Sequence, residues 1–144
     1  MRERKKSWEQ KIQIVEASFR RASRQTGFAR QFYQNLFFLS PKLKDYFQNT
    51  DFEHQEKALM RGLEFLIESL QPEQKHAKQQ ITRIAQSHSA GNMNIHPHSY
   101  YYWIEALIMT AGEFDSQWHK DLEYYWREVI SAPVSFIVSQ YFKG

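Results

Sequence analysis

Apolar residues recur along this chain at intervals of three and four, the spacing that places side chains on one face of an α-helix. Only five glycines and four prolines interrupt the pattern. We therefore predict an all-α fold without strands, and the pattern divides it into seven helices: about Trp8–Ser23, Phe28–Leu39, Pro41–Phe47, Phe52–Leu70, Glu73–Ser89, His98–Ala111 and Gln117–Phe142.

Local signals mark several of the helix boundaries. Gly27 is expected to end the first helix, and either Thr50 or Asp51 to cap the fourth. Pro133 lies inside the last predicted helix, which predicts a kink there or a break at Ala132.

Length and charge limit the class of protein. A chain of 144 residues suits one domain, and we assign residues 1–144 to it, with 1–7 as a basic N-terminal extension. The net charge is +3, and the basic start is interpreted as a solvated terminus. No apolar segment is long enough for a bilayer span or a signal peptide, so we expect a cytoplasmic protein with no membrane or nucleic-acid partner.

The residue types narrow the chemistry further. The absence of cysteine rules out disulfides, thiolate nucleophiles and iron–sulfur clusters. No nucleophile elbow, phosphate-binding loop or dinucleotide fingerprint occurs. Aromatic residues make up 16% of the chain, so the core could enclose a flat group, although an aromatic-rich core without one explains the same composition.

One histidine occupies a position where the next core residue is expected. Ile81, Ile84 and Ala85 form an apolar stripe on one helix face, and His88 continues that stripe at the helix end. Such a histidine is either a core residue satisfied by a hydrogen bond or a ligand directed at something bound inside the fold.

Two polar residues on other apolar faces extend this question. Tyr33 lies on the second helix among apolar neighbours, and Gln55 interrupts the leucine stripe of the fourth. A buried hydroxyl and a buried amide both need partners, since an unpaired one costs about 1–3 kcal/mol. They either pair with each other or the backbone, or they donate to a small polar ligand in an apolar cavity, with His88 holding a metal.

Two other patterns are weaker candidates for metal sites. His96 and His98 flank Pro97 at a helix start and are expected to be solvated. Glu73 and His76 have the Glu-x-x-His spacing of di-iron bundles, but no second such motif lies on an apolar face.

From about Gln10 to Tyr141 the chain resembles the globins, specifically the bacterial single-domain globins and the globin half of the flavohaemoglobins. The order and spacing of the matching segments carry this resemblance: Phe32-Tyr33-x-x-Leu36-Phe37-x-x-x-Pro41-x-Leu43-Lys44-x-x-Phe47, Asp51-x-x-x-Gln55-x-x-x-Leu59, and Ile84-Ala85-x-x-His88 followed by Ile95-x-Pro97-x-x-Tyr100.

The resemblance implies a globin fold around haem b (iron protoporphyrin IX). His88 would be the proximal iron ligand, and Tyr33 and Gln55 would form the distal pair beside a bound gas. The same motifs imply the other pocket residues: Phe47 packed on the porphyrin, Leu59 closing the distal pocket, and Ile95 and Tyr100 lining the proximal side.

The chain departs from the flavohaemoglobin pattern in three places. The segment from His88 to Pro97 is longer, so the proximal ring could be set differently. Lys143 falls near the position of a late glutamate, which puts the proximal hydrogen-bond chain of those enzymes in doubt. The sequence stops at Gly144 without flavin and nicotinamide domains, so reducing equivalents are expected from a separate electron donor or reductase.

Two functions follow from the resemblance. The first is reversible binding of dioxygen, or another diatomic gas such as NO or CO. The second is a haem enzyme, a nitric oxide dioxygenase or a peroxidase-like protein, that uses a separate reductase. A cofactor-free helical interaction protein is the third alternative. His54, beside Gln55, is a candidate sixth ligand to the iron, and Tyr101, Tyr102 and Tyr124 could form the surface of an oligomer.

Overall fold

The computed structural model describes residues 5–143. Within that range the regular structure is helical, with no strand: α1 (Trp8–Ser23), α2 (Phe28–Leu39), a 3-10 helix (Pro41–Phe47), α3 (Phe52–Glu68), α4 (Lys75–Ser87), α5 (Ser99–Phe114), α6 (Lys120–Ser139) and a final 3-10 helix (Tyr141–Lys143). The predicted all-α fold is confirmed. The first four residues of the predicted basic extension lie outside the described residues. No helix between residues 5 and 143 is both long and apolar enough to cross a bilayer.

Side-chain caps fix the starts of two helices. The Ser7 hydroxyl accepts from the Gln10 backbone at 3.1 Å, and the Gln10 side chain accepts from the Ser7 backbone at 2.8 Å, so a capping box begins α1. Of the two predicted caps for α3, Asp51 is the observed one, because its carboxylate accepts from the backbone N–H of Glu53 at 3.1 Å.

The predicted extents of two helices were wrong. The predicted fourth and fifth helices are shorter in the structure, because residues 69–74 between α3 and α4 form turns. Of the two alternatives predicted at Pro133, the break at Ala132 does not occur, because α6 continues through Pro133 and buries Pro133, Val134 and Ile137 on one face. Burial of that face offsets the hydrogen bond that a proline removes.

The helices pack on one another in a single core. α2 packs chiefly on α5, α1 on α6, and α3 on α4. Trp126 of α6 is completely buried, and its indole N–H donates to the Ser18 hydroxyl of α1 at 2.9 Å.

A buried carboxylate joins three parts of this core. Asp115, 4% exposed, follows α5 and accepts from the Arg21 guanidinium at 2.6 Å, the Ser18 hydroxyl at 2.6 Å and the Gln117 backbone at 2.9 Å. Burial alone would raise the pKa of Asp115, but these hydrogen bonds and the Arg21 charge outweigh it and hold the pKa below its usual value. The ion pair fixes the C-terminal end of α5 against α1. The N-terminal end of the same helix carries Tyr100, one of the predicted pocket residues.

Candidate functional site

His88 caps the C-terminal end of α4. The buried stripe of that helix consists of Ala77, Ile81 and Ala85, and His88 follows it with its backbone N–H donating to the Ile84 carbonyl at 3.0 Å. The side chain is half-buried. Helical spacing therefore directs the imidazole along the apolar face of α4, as the sequence pattern indicated.

The imidazole of His88 is held from α5. Its Nδ1 lies 3.0 Å from the hydroxyl of Tyr100, which is itself buried near the start of that helix. Burial lowers the pKa of His88, and burial raises the pKa of Tyr100 to about 12. Both groups are therefore neutral near pH 7, and this pair orients the ring without a charge.

The other ring nitrogen of His88 is free. Nε2 makes no hydrogen bond to any residue of the described range, and no buried side-chain nitrogen or oxygen there lacks a partner. Nε2 must therefore reach an open surface rather than packed protein. A neutral imidazole with one nitrogen oriented by a hydrogen bond and the other open is the arrangement of a histidine metal ligand, so the residue fits a haem iron.

Tyr33 and Gln55 lie together. The Gln55 amide on α3 donates to the Tyr33 hydroxyl on α2 at 2.9 Å. Burial chiefly raises the pKa of Tyr33 to about 12, with the Gln55 hydrogen bond opposing the shift and the charge of Glu56 adding to it. The phenol keeps its proton near pH 7. Because its oxygen accepts from Gln55 and bonds no other described residue, the O–H remains available to donate.

The residues around this pair form an aromatic cluster. The ring of Phe47 lies 5.6 Å from that of Tyr33, and the rings of Phe37 and Phe52 lie 6.0 and 5.7 Å from it. Leu59 is buried one helical turn after Gln55. Aromatic rings thus cover one side of this pair, while the charged Glu56 lies close enough to act on Tyr33.

Ile95 contacts His88 through the backbone. Its N–H donates to the His88 carbonyl at 3.0 Å, and its side chain is half-buried. The structure therefore brings together His88, Tyr100 and Ile95 as one group, and Tyr33, Gln55 and Phe47 as another. No hydrogen bond joins the two groups within the described residues, and α3, which carries Gln55, packs against α4, which His88 caps.

Several other candidates lie apart from both groups. His54 is exposed, and so are His96 and His98. Lys143 is exposed as well, and no carboxylate within residues 5–143 bonds to His88 or Tyr100.

Two features of the site were not predicted from the sequence. The bond from Tyr100 to His88 was not predicted, although a tyrosine hydroxyl on a buried face needs a partner just as Tyr33 does. A surface cavity of about 460 Å³ at the junction of α2 and α3 carried no sequence signal, because it depends on how the two helices cross. It is lined by Arg30, Tyr33, Gln34, Phe37, Phe52, Glu53 and Glu56.

Comparison with known proteins gives the family. A model of the globin family matches residues 30–137, which is most of the chain. The fold is similar to that of the protein PA3967 from Pseudomonas aeruginosa PAO1, which is described as structurally highly homologous to a human hemoglobin. The TM-score is 0.84 at 26% sequence identity, over 92% of this chain and 98% of that one. No curated protein matches the chain. The resemblance to bacterial globins is thus confirmed, and the chain belongs to the globin family of haem-binding proteins.

Proposed function

We infer that this globin reversibly binds dioxygen, or another diatomic gas, at the iron of haem b. The observation that carries the proposal is the state of His88, whose Nδ1 is held by Tyr100 while Nε2 has no protein partner. Iron protoporphyrin IX supplies the ferrous ion at which a diatomic gas binds.

On the proximal side, His88 would ligate the iron through Nε2. A neutral imidazole that uses the Nε2 lone pair carries its proton on Nδ1, so Nδ1–H then donates to the Tyr100 oxygen. Tyr100 would thereby fix both the tautomer and the plane of the ring.

On the distal side, Tyr33 and Gln55 would stabilise a polar ligand. The free phenol proton of Tyr33 is the donor, and Gln55 holds the phenol oxygen in place from α3. Buried donors stabilise a partly negative ligand more strongly than exposed ones. Dioxygen accepts such hydrogen bonds better than carbon monoxide, so this pair favours dioxygen.

The apolar residues would shape the pocket and exclude water. Leu59 is buried beside Gln55, and Phe47 packs against Tyr33 and the rings around it. Phe47 would lie on the porphyrin face, and Ile95 would line the proximal side next to His88. Exclusion of water protects ferrous iron from oxidation.

Gas binding has more support than the enzyme alternative. A carboxylate that accepts from a ligating histidine makes the imidazole more basic and increases electron donation to iron, which activates bound oxygen species. Here the partner of His88 is the neutral phenol of Tyr100, whose pKa is raised to about 12 by burial. A weakly donating proximal histidine suits reversible binding.

Titration of the purified protein with haemin tests the proposal. We expect the Soret absorbance to saturate at one haem per chain, and the reduced protein to bind carbon monoxide and dioxygen reversibly. His54→Ala should give the same spectrum and stoichiometry, because His54 is exposed. A linear rise without saturation, like that of haemin in buffer, would contradict haem binding. Saturation followed by rapid irreversible oxidation in air would contradict reversible dioxygen binding.

A further inference from the structure

Tyr141, in the 3-10 helix after α6, contacts the segment that follows His88. Tyr141 is buried, and this short helix packs against both α4 and α6. The Tyr141 carbonyl accepts from the Ala90 N–H at 2.8 Å, and the Tyr141 hydroxyl donates to the side-chain oxygen of Asn94. The edge of the ring also meets the ring of His96, with 5.8 Å between centroids. Tyr141 therefore contacts the segment 89–96 at three points.

The segment 89–96 in turn encloses the end of α4. The N–H groups of Met93 and Asn94 donate to the carbonyls of Ser87 and Ser89, each at 2.9 Å, and Ile95 N–H donates to the His88 carbonyl at 3.0 Å. Asn94 has a φ of 56°, a left-handed conformation that asparagine tolerates better than most residues. The segment thus folds back over His88 and bonds to the backbone on both sides of it.

These contacts form a continuous path from Tyr141 to His88. The His88 ring is oriented by Tyr100, but its backbone lies after the last residue of α4, where helices fray. The backbone bond from Ile95 limits that fraying, and the bonds from Tyr141 limit movement of the segment that carries Ile95.

We propose that Tyr141 is a positioning residue for His88 and acts through the segment 89–96. This inference rests on the proposed function, in which His88 ligates the iron. It goes further, because it assigns a role at the iron to a residue in the 3-10 helix after α6. The longer segment between His88 and Pro97 would then be the part of the chain that reaches Tyr141.

Tyr141→Phe is the most conservative test, because it keeps the ring and removes only the hydroxyl. Asn94→Gly removes the side-chain oxygen that accepts from Tyr141 and still tolerates the φ of 56°. Asn94→Asp keeps an accepting oxygen and should behave as wild type. Tyr124→Phe is the matched control, since it makes the same change at a tyrosine that is 63% exposed.

Three measurements on the purified protein test whether Tyr141 positions His88. We expect backbone amide exchange in residues 93–95 to be about tenfold faster in Tyr141→Phe and Asn94→Gly, because one hydrogen bond is lost. We also expect the NMR signals of the His88 ring to shift in both variants, and haem to be lost about tenfold faster. Asn94→Asp and Tyr124→Phe should match wild type in every measurement.

Each of the two steps from Tyr141 to His88 has an outcome that would overturn it. Unchanged exchange in Tyr141→Phe and Asn94→Gly would overturn the first step, from Tyr141 to the segment. Faster exchange with unchanged His88 signals would overturn the second step, from the segment to His88. If the purified protein binds no haem, the proposed function fails, while exchange and the His88 signals still decide the role of Tyr141 because neither requires iron.

Discussion

The hydroxyl of Tyr100 lies 3.0 Å from Nδ1 of His88, so a residue of α5 orients the histidine that ends α4. Tyr100→Phe removes this partner and leaves the ring packing intact. We expect haem to dissociate about tenfold faster, because a hydrogen bond of about 1–1.5 kcal/mol is lost from the oriented ligand. Transfer of haem to an apoglobin acceptor measures the rate.

Tyr101→Phe is the control for that experiment. Tyr101 is adjacent in sequence and 61% exposed, so its hydroxyl has no role in the site and the variant should match wild type. Equal rates for Tyr100→Phe and wild type would show that the hydrogen bond does not help to retain haem.

Tyr33→Phe should accelerate dissociation of dioxygen. The buried phenol proton has no partner among the described residues, and a hydrogen bond to a partly charged ligand is worth about 1.5–3 kcal/mol. We expect dissociation to be faster by tens-fold, measured by stopped-flow displacement with carbon monoxide, whereas carbon monoxide dissociation should change little. Tyr46→Phe, at a tyrosine that is 67% exposed, should have no effect. An unchanged rate in Tyr33→Phe would remove Tyr33 from the proposed role.

The bond between Gln55 and Tyr33 predicts non-additive effects. Gln55→Leu removes the amide that holds the phenol oxygen at 2.9 Å, so it weakens the contribution of Tyr33 as well as its own. We expect the double variant with Tyr33→Phe to differ from the sum of the single changes by about 1 kcal/mol in dioxygen dissociation. Additive effects would mean that the two side chains act independently.

Asp115 should make the stability of the fold depend on acidity. Hydrogen bonds and the Arg21 charge hold its pKa below the usual value in the folded protein, so folding favours the ionised form. The stabilisation that ionised Asp115 provides is fully present above the unfolded pKa of about 3.9. It is lost as the pH falls through the lower pKa that Asp115 has in the folded protein. Urea unfolding of wild type should therefore show declining stability below about pH 4.

Asp115→Asn separates this carboxylate from the others. We expect it to lower the free energy of unfolding at pH 7 by about 2–4 kcal/mol, a range that allows for the partial exposure of Arg21. The decline in stability below about pH 4 should also be smaller in this variant than in wild type. Asp45→Asn, at an exposed residue, should change neither quantity. A variant as stable as wild type at pH 7 would contradict a stabilising role for the ion pair.

The sequence predicted most of the fold because helical periodicity is a local signal. Phe28, Phe32 and Leu36 repeat at four residues and form the buried face of α2 with the predicted bounds. The break at Ala132, one of the two alternatives predicted, does not occur because the local effect of Pro133 is outweighed by burial of α6, which the sequence around the proline does not reveal.

The candidate site was predictable only in part. His88, Tyr33 and Gln55 were chosen as candidates because each is polar on an otherwise apolar face. The hydrogen bond between Tyr100 and His88 joins residues 12 positions apart, and the one between Tyr141 and Asn94 joins residues 47 positions apart. Helical periodicity predicts neither contact. Such contacts depend on how α4, α5 and α6 pack together, which the sequence pattern does not specify.

The central claim, that His88 holds the haem iron, is tested most directly by the absorbance spectrum of His88→Gly with and without imidazole. We expect this variant to lose or shift the Soret band, and added imidazole to restore it by entering the space of the missing ring. His119→Gly, at an exposed histidine, should have the wild-type spectrum. A His88→Gly protein with the same spectrum and haem affinity as wild type would contradict the claim.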